Sequence, residues 1–332
     1  MPPEIRVIDP HDEIALRAWW EVGKAATAER PGKPWPLWEQ SRVSLPAHNP
    51  EQGIVLLGAT DAGRTVGAGL LTKSLNENLH AAMVFAFVVP ERAREGVGTA
   101  LARELEALAA ADGRTTIQSE AYVPPGGTAP GEPFAIALGY AVASRESLKE
   151  LSVVDYVSRR GTLVERVGRA ADGYRIVTFD TLCPEEHLAS FGRLLGMLIA
   201  EIPLGDLDLE DSEWTPERLR AAEQLYVATG RRRLTALALA PDGSVAGSSD
   251  VRINEADPTH GEIGVTLVDP AHRGHRLGMA LKLATHDLAL ATWPDLRTVD
   301  TCNAEANQHM NAVNEALGYR SIETLLELQK KT

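Results

Sequence analysis

The segment Asp269-Pro270-Ala271-His272-Arg273-Gly274-His275-Arg276-Leu277-Gly278 holds the densest set of residues able to do chemistry. An apolar strand, Ile263–Val268, runs into it, and a helix of about four turns, Leu277–Ala291, follows. A helix start gathers unbonded main-chain amides, and the helix dipole makes that spot favour anions. Gly274 and Gly278 let the backbone approach a ligand without a Cβ in between. Arg273, Arg276, His272 and His275 add positive charge. A diphosphate suits such a loop; a basic helix start that meets only water is the plain alternative. Further on, Asn303, Asn307, Asn311 and Asn314 are spaced 4, 4 and 3 apart. That spacing sets the last three on one helix face, with Asn303 just ahead of it. Asparagine is a mediocre helix former, so the stripe points to a polar role, with a solvated face as the alternative for Asn311. Glu262 begins the strand that leads to the loop and is the first candidate proton acceptor, with His260 the second. A solvated strand-end glutamate, or a water chain to bulk, is the bland alternative.

These residues sit in the second of two internal copies. At a shift of 180, Leu57, Gly63 and Gly67 meet Leu237, Gly243 and Gly247, and Val88 and Pro90 meet Val268 and Pro270. Gly98, Ala100 and Leu101 meet Gly278, Ala280 and Leu281; at a shift of 179, Ala137-Leu138-Gly139-Tyr140 meets Ala316-Leu317-Gly318-Tyr319. Each copy opens with a short strand (Ile5–Ile8; Tyr174–Phe179) and one or two helices (Glu13–Ala28; Glu185–Ile202 and Pro216–Thr229). A strand, a glycine-bearing hairpin and another strand follow. Then come the apolar strand, the loop, the long helix, a strand (Thr115–Ser119; Thr298–Cys302), a second helix and a last strand (Leu148–Val157; Ile322–Gln329). Strands first antiparallel, then joined through helices, predict an α/β fold with a mixed sheet and helices on its faces. The boundary is expected in the charged, glycine-containing stretch 161–173, which gives domains 1–165 and 166–332. Arg30–Pro50, with Trp35, Trp38, Pro31, Pro34, Pro36, Pro46 and Pro50, reads as a long ordered loop. Ile202–Trp214, with Asp206, Asp208, Glu210, Asp211 and Glu213, is a candidate for drawing in a cation.

The 332 residues carry 33 Lys plus Arg against 46 Asp plus Glu, a formal charge of −13. That charge disfavours nucleic acid and fits solubility or attraction of a cationic partner. Cys183 and Cys302 are neither a disulfide framework nor a metal set, so no metal and a reducing, cytoplasmic compartment are expected. No uncharged apolar run reaches membrane-spanning length, and Met1–Pro10 lacks a signal-peptide layout. Gly96-Val97-Gly98 is too short a match for a dinucleotide fingerprint, and no Gly-Lys-Ser/Thr occurs for a phosphate-binding loop of that class.

Arg273-Gly274-His275-Arg276-Leu277-Gly278 resembles the Arg/Gln-x-x-Gly-x-Gly/Ala pattern with which the GNAT superfamily of N-acetyltransferases cradles the diphosphate of acetyl-CoA. The Asn-rich helix closing on Leu317-Gly318-Tyr319 is similar to that superfamily's later motif, and the element order matches twice. The resemblance implies two tandem GNAT folds. It implies that the main chain of Val265, Leu267 and Val268 and the loop Arg273, Gly274, His275, Arg276, Leu277 and Gly278 hold acetyl-CoA, with Asn303 and Asn307 on its pantetheine amides. Direct transfer to a primary amine of a small, cationic metabolite or antibiotic follows, with Glu262 as base. Asn314 stands where many family members have the tyrosine that protonates the thiolate. No nucleic acid or membrane partner is implied, and a homodimer is compatible. The first copy departs more: Ala93-Arg94-Glu95-Gly96-Val97-Gly98 carries Ala93 at the Arg/Gln position and an acid at Glu95. Tyr122–Pro133 replaces the asparagines with prolines and glycines. The first copy is therefore expected to be degenerate or structural. A silent acyl-CoA-binding or regulatory protein is the rival reading.

Overall fold

The computed structural model describes residues 3–32 and 35–332; Pro34 of the proline-rich segment lies outside them. The first half of the chain runs β1 (Glu4–Ile8), α1 (Glu13–Ala26), α2 (Trp38–Ser44), β2 (Gln52–Asp61), β3 (Arg64–Ser74), β4 (Ala81–Val88), α3 (Val97–Ala111), β5 (Thr116–Val123), α4 (Gly131–Ala137) and β6 (Ala141–Ser152). Next come α5 (Val153–Val167), β7 (Arg175–Asp180), α6 (Leu188–Gly196), α7 (Leu198–Glu201) and α8 (Pro216–Ala228). The chain ends β8 (Arg231–Leu239), β9 (Val245–Asn254), β10 (Asp257–Val268), α9 (Leu277–Thr292), β11 (Thr298–Ala304), α10 (Gln308–Leu317) and β12 (Arg320–Lys331).

Two compact units result, and they do not follow the linear halves. Unit 1 comprises residues 1–146, 204–210 and 323–332; unit 2 comprises 147–203 and 211–322. Unit 1 orders its strands β1-β2-β3-β4-β5-β12, and unit 2 orders them β6-β11-β10-β9-β8-β7. The sheets are mixed, as the element order predicts: β4–β5 and β10–β11 are parallel, and the β1–β2, β2–β3, β3–β4, β7–β8, β8–β9 and β9–β10 pairs are antiparallel. The sixth strand of each unit is exchanged. The chain's last strand closes unit 1, where Thr324–Lys331 pair antiparallel with Thr116–Val123. Residues 147–152 of β6 lie beside β11 in unit 2. Leu326 and Leu328 of β12 are fully buried in the core of unit 1 with Leu101, Leu105 and Ile117. Each such leucine is worth roughly 1.5–3 kcal/mol of burial.

The expected boundary at 161–173 differs from this arrangement. Its first part lies inside α5, whose Tyr156 and Leu163 are buried against the α9 side of unit 2. Apolar residues at helical spacing continue through the charged surface positions, so the segment is a packed helix rather than a linker. The acidic segment expected to serve the second copy also divides. Its residues 204–210 belong to unit 1, where Asp208 pairs with Lys331 at 2.9 Å and lies 3.6 Å from His80. Among the described residues no helix is long and apolar enough to cross a membrane.

Candidate active sites

Residues Pro270–His272 form one turn of 3-10 helix, and Asp269 caps it by accepting from the Ala271 amide at 2.9 Å. Arg276 precedes α9 in a left-handed conformation, φ 54° and ψ 24°, and gives no side-chain cap. Gly274 is also left-handed, at φ 89°. The absent cap matters. His272 and Arg273 amides bond back to Asp269 and Pro270, whereas the amides of 274–279 have no acceptor among the described residues. They form an open donor cluster at the positive end of a helix of 16 residues. A Cβ on Gly278 would meet nothing within 4 Å, so this side of the loop is open. Around it, Arg273 pairs with Glu201, Arg276 donates to the Arg166 carbonyl, and His272 meets the Tyr174 hydroxyl at 3.0 Å.

Unit 1 repeats the loop before α3. Pro90–Arg92 make the 3-10 turn, and Arg94 and Gly96 are left-handed at φ 67° and 87°. Amides 94–99 have no acceptor among the described residues. Arg92 is spent on Asp61 at 2.6 Å and on Glu95 at 2.7 Å.

Beside each loop the sheet opens. β10 and β11 pair only from His260–Thr298 to Glu262–Asp300, and β4 and β5 only from Ala81–Thr116 to Met83–Gln118. The parallel registers end at these points, which leaves the facing main-chain edges of β10 and of β4 unpaired among the described residues. Leu267 is buried and Val268 packs against the core, so only their backbone is available to a ligand.

The sequence model of the acetyltransferase (GNAT) family matches residues 16–124. A tandem GNAT protein from the clavulanic acid biosynthesis pathway, solved without AcCoA, is 28% identical, covers 99% of this chain and 98% of its own, and superposes with a TM-score of 0.82. Residues 16–124 thus match the GNAT family, and the whole chain has the fold of a tandem GNAT protein. A GCN5-related N-acetyltransferase from Sphaerobacter thermophilus shares the fold at a TM-score of 0.66 and 16% identity, over 99% of this chain and 95% of its own. A comparison with curated protein sequences finds no match. Acyl transfer is the general activity of the family, and no group of three His, Cys, Asp or Glu among the described residues is arranged to hold a metal.

Within this tandem GNAT fold, asparagines of unit 2 bind one another and two lysines. Asn307 caps α10, its side chain accepting from the Met310 amide at 3.1 Å. Asn303 donates to Asn311 at 2.7 Å and accepts from Asn314 at 2.9 Å. Lys149 of β6 donates to Asn311 at 2.6 Å and to Asn303 at 3.2 Å. Lys282 of α9 donates to Asn314 at 2.8 Å. Asn314 has no exposed surface, so the expected place beside the thiolate is corrected to an interior one. Burial, then the nearby Lys149 charge, lowers the Lys282 ammonium to about 7. Both lysines escaped the sequence reading. The available signal was a lysine at 282 inside the otherwise apolar α9 stripe of Met279 and Leu283.

Unit 2 also presents a polar sheet face. Glu262 is exposed and is the register partner of Arg252 on β9 and of Asp300 on β11. His260 lies 3.2 Å from Asp300 and 3.1 Å from the Thr298 hydroxyl. A bulge between Ile263 and Thr266 turns the Val265 amide onto the Asp250 carboxylate at 3.1 Å. A Cβ on Gly264 would fall 2.1 Å from Asp250 and 2.3 Å from Arg252, so glycine is what lets that pair lie flat on the strand. The Val265 amide, expected on the cofactor, is thus already occupied in this structure. Burial and then Asp300 raise Glu150, a fourth carboxyl on this side.

In unit 1 the same opening is a cavity of about 90 Å³, lined by Phe85, Phe87, Glu120, Phe134, Ala135 and Tyr140 among others.

Proposed function

We propose that unit 2 transfers an acetyl group from acetyl-CoA directly to the primary amine of a small, cationic metabolite or antibiotic. The open amides of 274–279 carry this reading: an uncapped helix start between two arginines fits a diphosphate. Gly274, His275, Arg276, Leu277 and Gly278 supply backbone donors, and Arg273 supplies charge. The unpaired edge of β10 through Leu267 and Val268 offers hydrogen bonds to the pantetheine amides. Asn303 stands at the end of β11 on the other side of the opening. Asn307 and Asn314 support it, the first as a helix cap and the second as an internal hydrogen-bond partner.

The acceptor comes from the acidic face. Asp250, Glu262 and Asp300 on three neighbouring strands outnumber the one guanidinium among them, Arg252, which lies 3.4 Å from Asp250, and the net negative charge attracts an ammonium. Glu262 takes one proton from it, and the free amine attacks the thioester carbon. The C–N bond forms, the C–S bond breaks, and the second nitrogen proton goes to the departing thiolate. With Val265 held by Asp250, the oxyanion needs another donor, and a shift of Asp250 onto the incoming ammonium would free that amide.

One observation favours a second reading, an acyl-CoA-binding regulatory protein without turnover: the Val265 amide is closed off. Thiol release from acetyl-CoA, measured against a polyamine, aminoglycoside and amino-acid panel, decides. Release that requires an amine is expected. Binding of acetyl-CoA with no release for any amine would favour the silent protein. Glu262→Gln is expected to slow turnover more at pH 6 than at pH 9, where free amine is abundant; an unchanged pH profile removes Glu262 as base.

A further inference from the structure

In unit 2 the strand register sets four donor side chains in a square, on the sheet face that carries Glu262. Arg231 and Arg233 stand two apart on β8, and Arg252 and Asn254 two apart on β9. Arg231 is the register partner of Asn254, and Arg233 of Arg252. Residues two apart on a strand share a face with each other and with their register partners. Like charges directly opposite repel, so Arg233 beside Arg252 gains the sheet nothing. Burial adds to the cost, since Arg233 is only 8% exposed. Five donor atoms of the square are buried without a hydrogen-bond partner among the described residues: Nε of Arg231, Nε and Nη2 of Arg233, Nε of Arg252 and Nδ2 of Asn254. Each buried donor left so costs about 1–3 kcal/mol. One oxyanion seated on the square would offer acceptors to several of them at once.

The surrounding charge suits a monoanion. Arg233 lies 3.5 Å from Glu223, which already accepts from Arg220 at 2.6 Å and from the Cys183 amide at 2.9 Å. Arg252 lies 3.4 Å from Asp250. Arg231 has no carboxylate partner among the described residues. Three guanidiniums against these two carboxylates leave one positive charge. A carboxylate matches it, whereas a phosphate monoester carries nearly two negative charges. Next along the same face, Arg252 is the register partner of Glu262, and Glu262 of Asp300. The donor square and this acidic pair are centred two strand spacings apart, roughly 9–10 Å. Donors at one end and carboxylates at the other fit a molecule whose carboxylate and reacting amine are several bonds apart. The Oδ2 atom of Asp250, on β9 beside the square, is a buried acceptor without a donor and can take a second ammonium.

We propose that Arg231, Arg233, Arg252 and Asn254 form a carboxylate site, and that its ligand is a diamino acid. The α-ammonium meets Asp250 and the distal amine reaches Glu262. The role of the distal amine as acceptor rests on the transfer proposed above; the carboxylate site does not. Calorimetry on the full chain, with and without CoA, compares L-ornithine with L-ornithinamide and 1,4-diaminobutane, which keep both amines and lack the carboxylate. Ornithine is expected to bind at least about tenfold tighter than either, as hydrogen bonds to a charged group imply. Arg231→Gln and Asn254→Ala should each cut that preference at least threefold and leave the affinity for 1,4-diaminobutane unchanged. Binding of 1,4-diaminobutane or ornithinamide as tight as that of ornithine would overturn the site. So would no ornithine binding up to tens of millimolar, or an unchanged preference in variants that melt like the parent. Should a variant fail to fold, the comparison of ligands on the parent decides alone. Thiol release from acetyl-CoA separates this site from the transfer. Ornithine that binds in preference but releases no thiol leaves the site standing and removes the transfer; release as efficient with 1,4-diaminobutane as with ornithine does the reverse.

Discussion

The loops 93–98 and 273–278 follow one main-chain path with exchanged side chains. Both need two left-handed residues. Unit 1 places Arg94 and Gly96 there, and unit 2 places Gly274 and Arg276. Each loop therefore bears one non-glycine residue in a conformation that costs roughly 1–2 kcal/mol. The charge around the path has diverged further. Arg92 of unit 1 is paired with Asp61 and Glu95 and Ala93 stands where unit 2 has Arg273, whereas unit 2 sets Arg276, His272, His275 and Arg273, the last paired with Glu201, around its open amides. The path is a requirement of the fold; the charge is what a ligand reads. Beyond the loops the contrast reverses, because unit 1 keeps an aromatic cavity where unit 2 packs Lys149 and Lys282 among asparagines.

Four measurements would break or sharpen that contrast. The largest effect is expected from ending the chain after Ile322. Loss of β12 should remove hydrogen-exchange protection from β5 in unit 1 by several orders of magnitude while α9 stays protected; loss confined to β11 would refute the strand exchange. Next, Gly278→Asp should weaken CoA binding in calorimetry at least a hundredfold, since a carboxylate would face the diphosphate while the fold has room for it. Gly98→Asp should cost far less, and equal losses would erase the asymmetry between units. Third, the buried groups should respond to pH with opposite signs. Between about pH 7 and 10.5 the unfolded chain holds the Lys282 proton and the folded chain does not, so stability rises with pH. Between about 4.5 and 8 the folded chain holds the Glu327 proton and the unfolded chain does not, so stability falls. Denaturant midpoints across pH 5–10 should lose the first trend in Lys282→Met and the second in Glu327→Gln. Smallest, Arg276→Gly should stabilise unit 2 by about 1 kcal/mol through relief of its left-handed backbone. A lower melting temperature would mean that the Arg276 bond to Arg166 outweighs the strain.

The duplication, the mixed sheet and both loops were legible because turn glycines, Pro90, Pro270 and the Ala-Leu-Gly-Tyr repeat are local signals. The open amides were legible too, since no Ser, Thr, Asp or Asn stands at 96 or 276 to cap the helices. What escaped was long-range. Leu148–Val157 reads as strand by composition, yet Val153 onward turns helical because Tyr156 and Leu163 find a core on α9. The asparagine stripe looks ligand-directed until Lys149, 154 positions before Asn303, is found beside it. Nothing in β6 or β12 says which sheet each will join, because either pattern satisfies either edge.

The placement of β12 has a consequence for biosynthesis. The sheet that begins with Glu4 is completed by Thr324–Lys331, so unit 1 cannot close until those residues have left the ribosome. Throughout that interval β5 presents a bare edge, the kind of surface on which nascent chains pair wrongly. A ribosome paused anywhere before Glu323 therefore holds a nascent chain in which the sheet of unit 1 is still open.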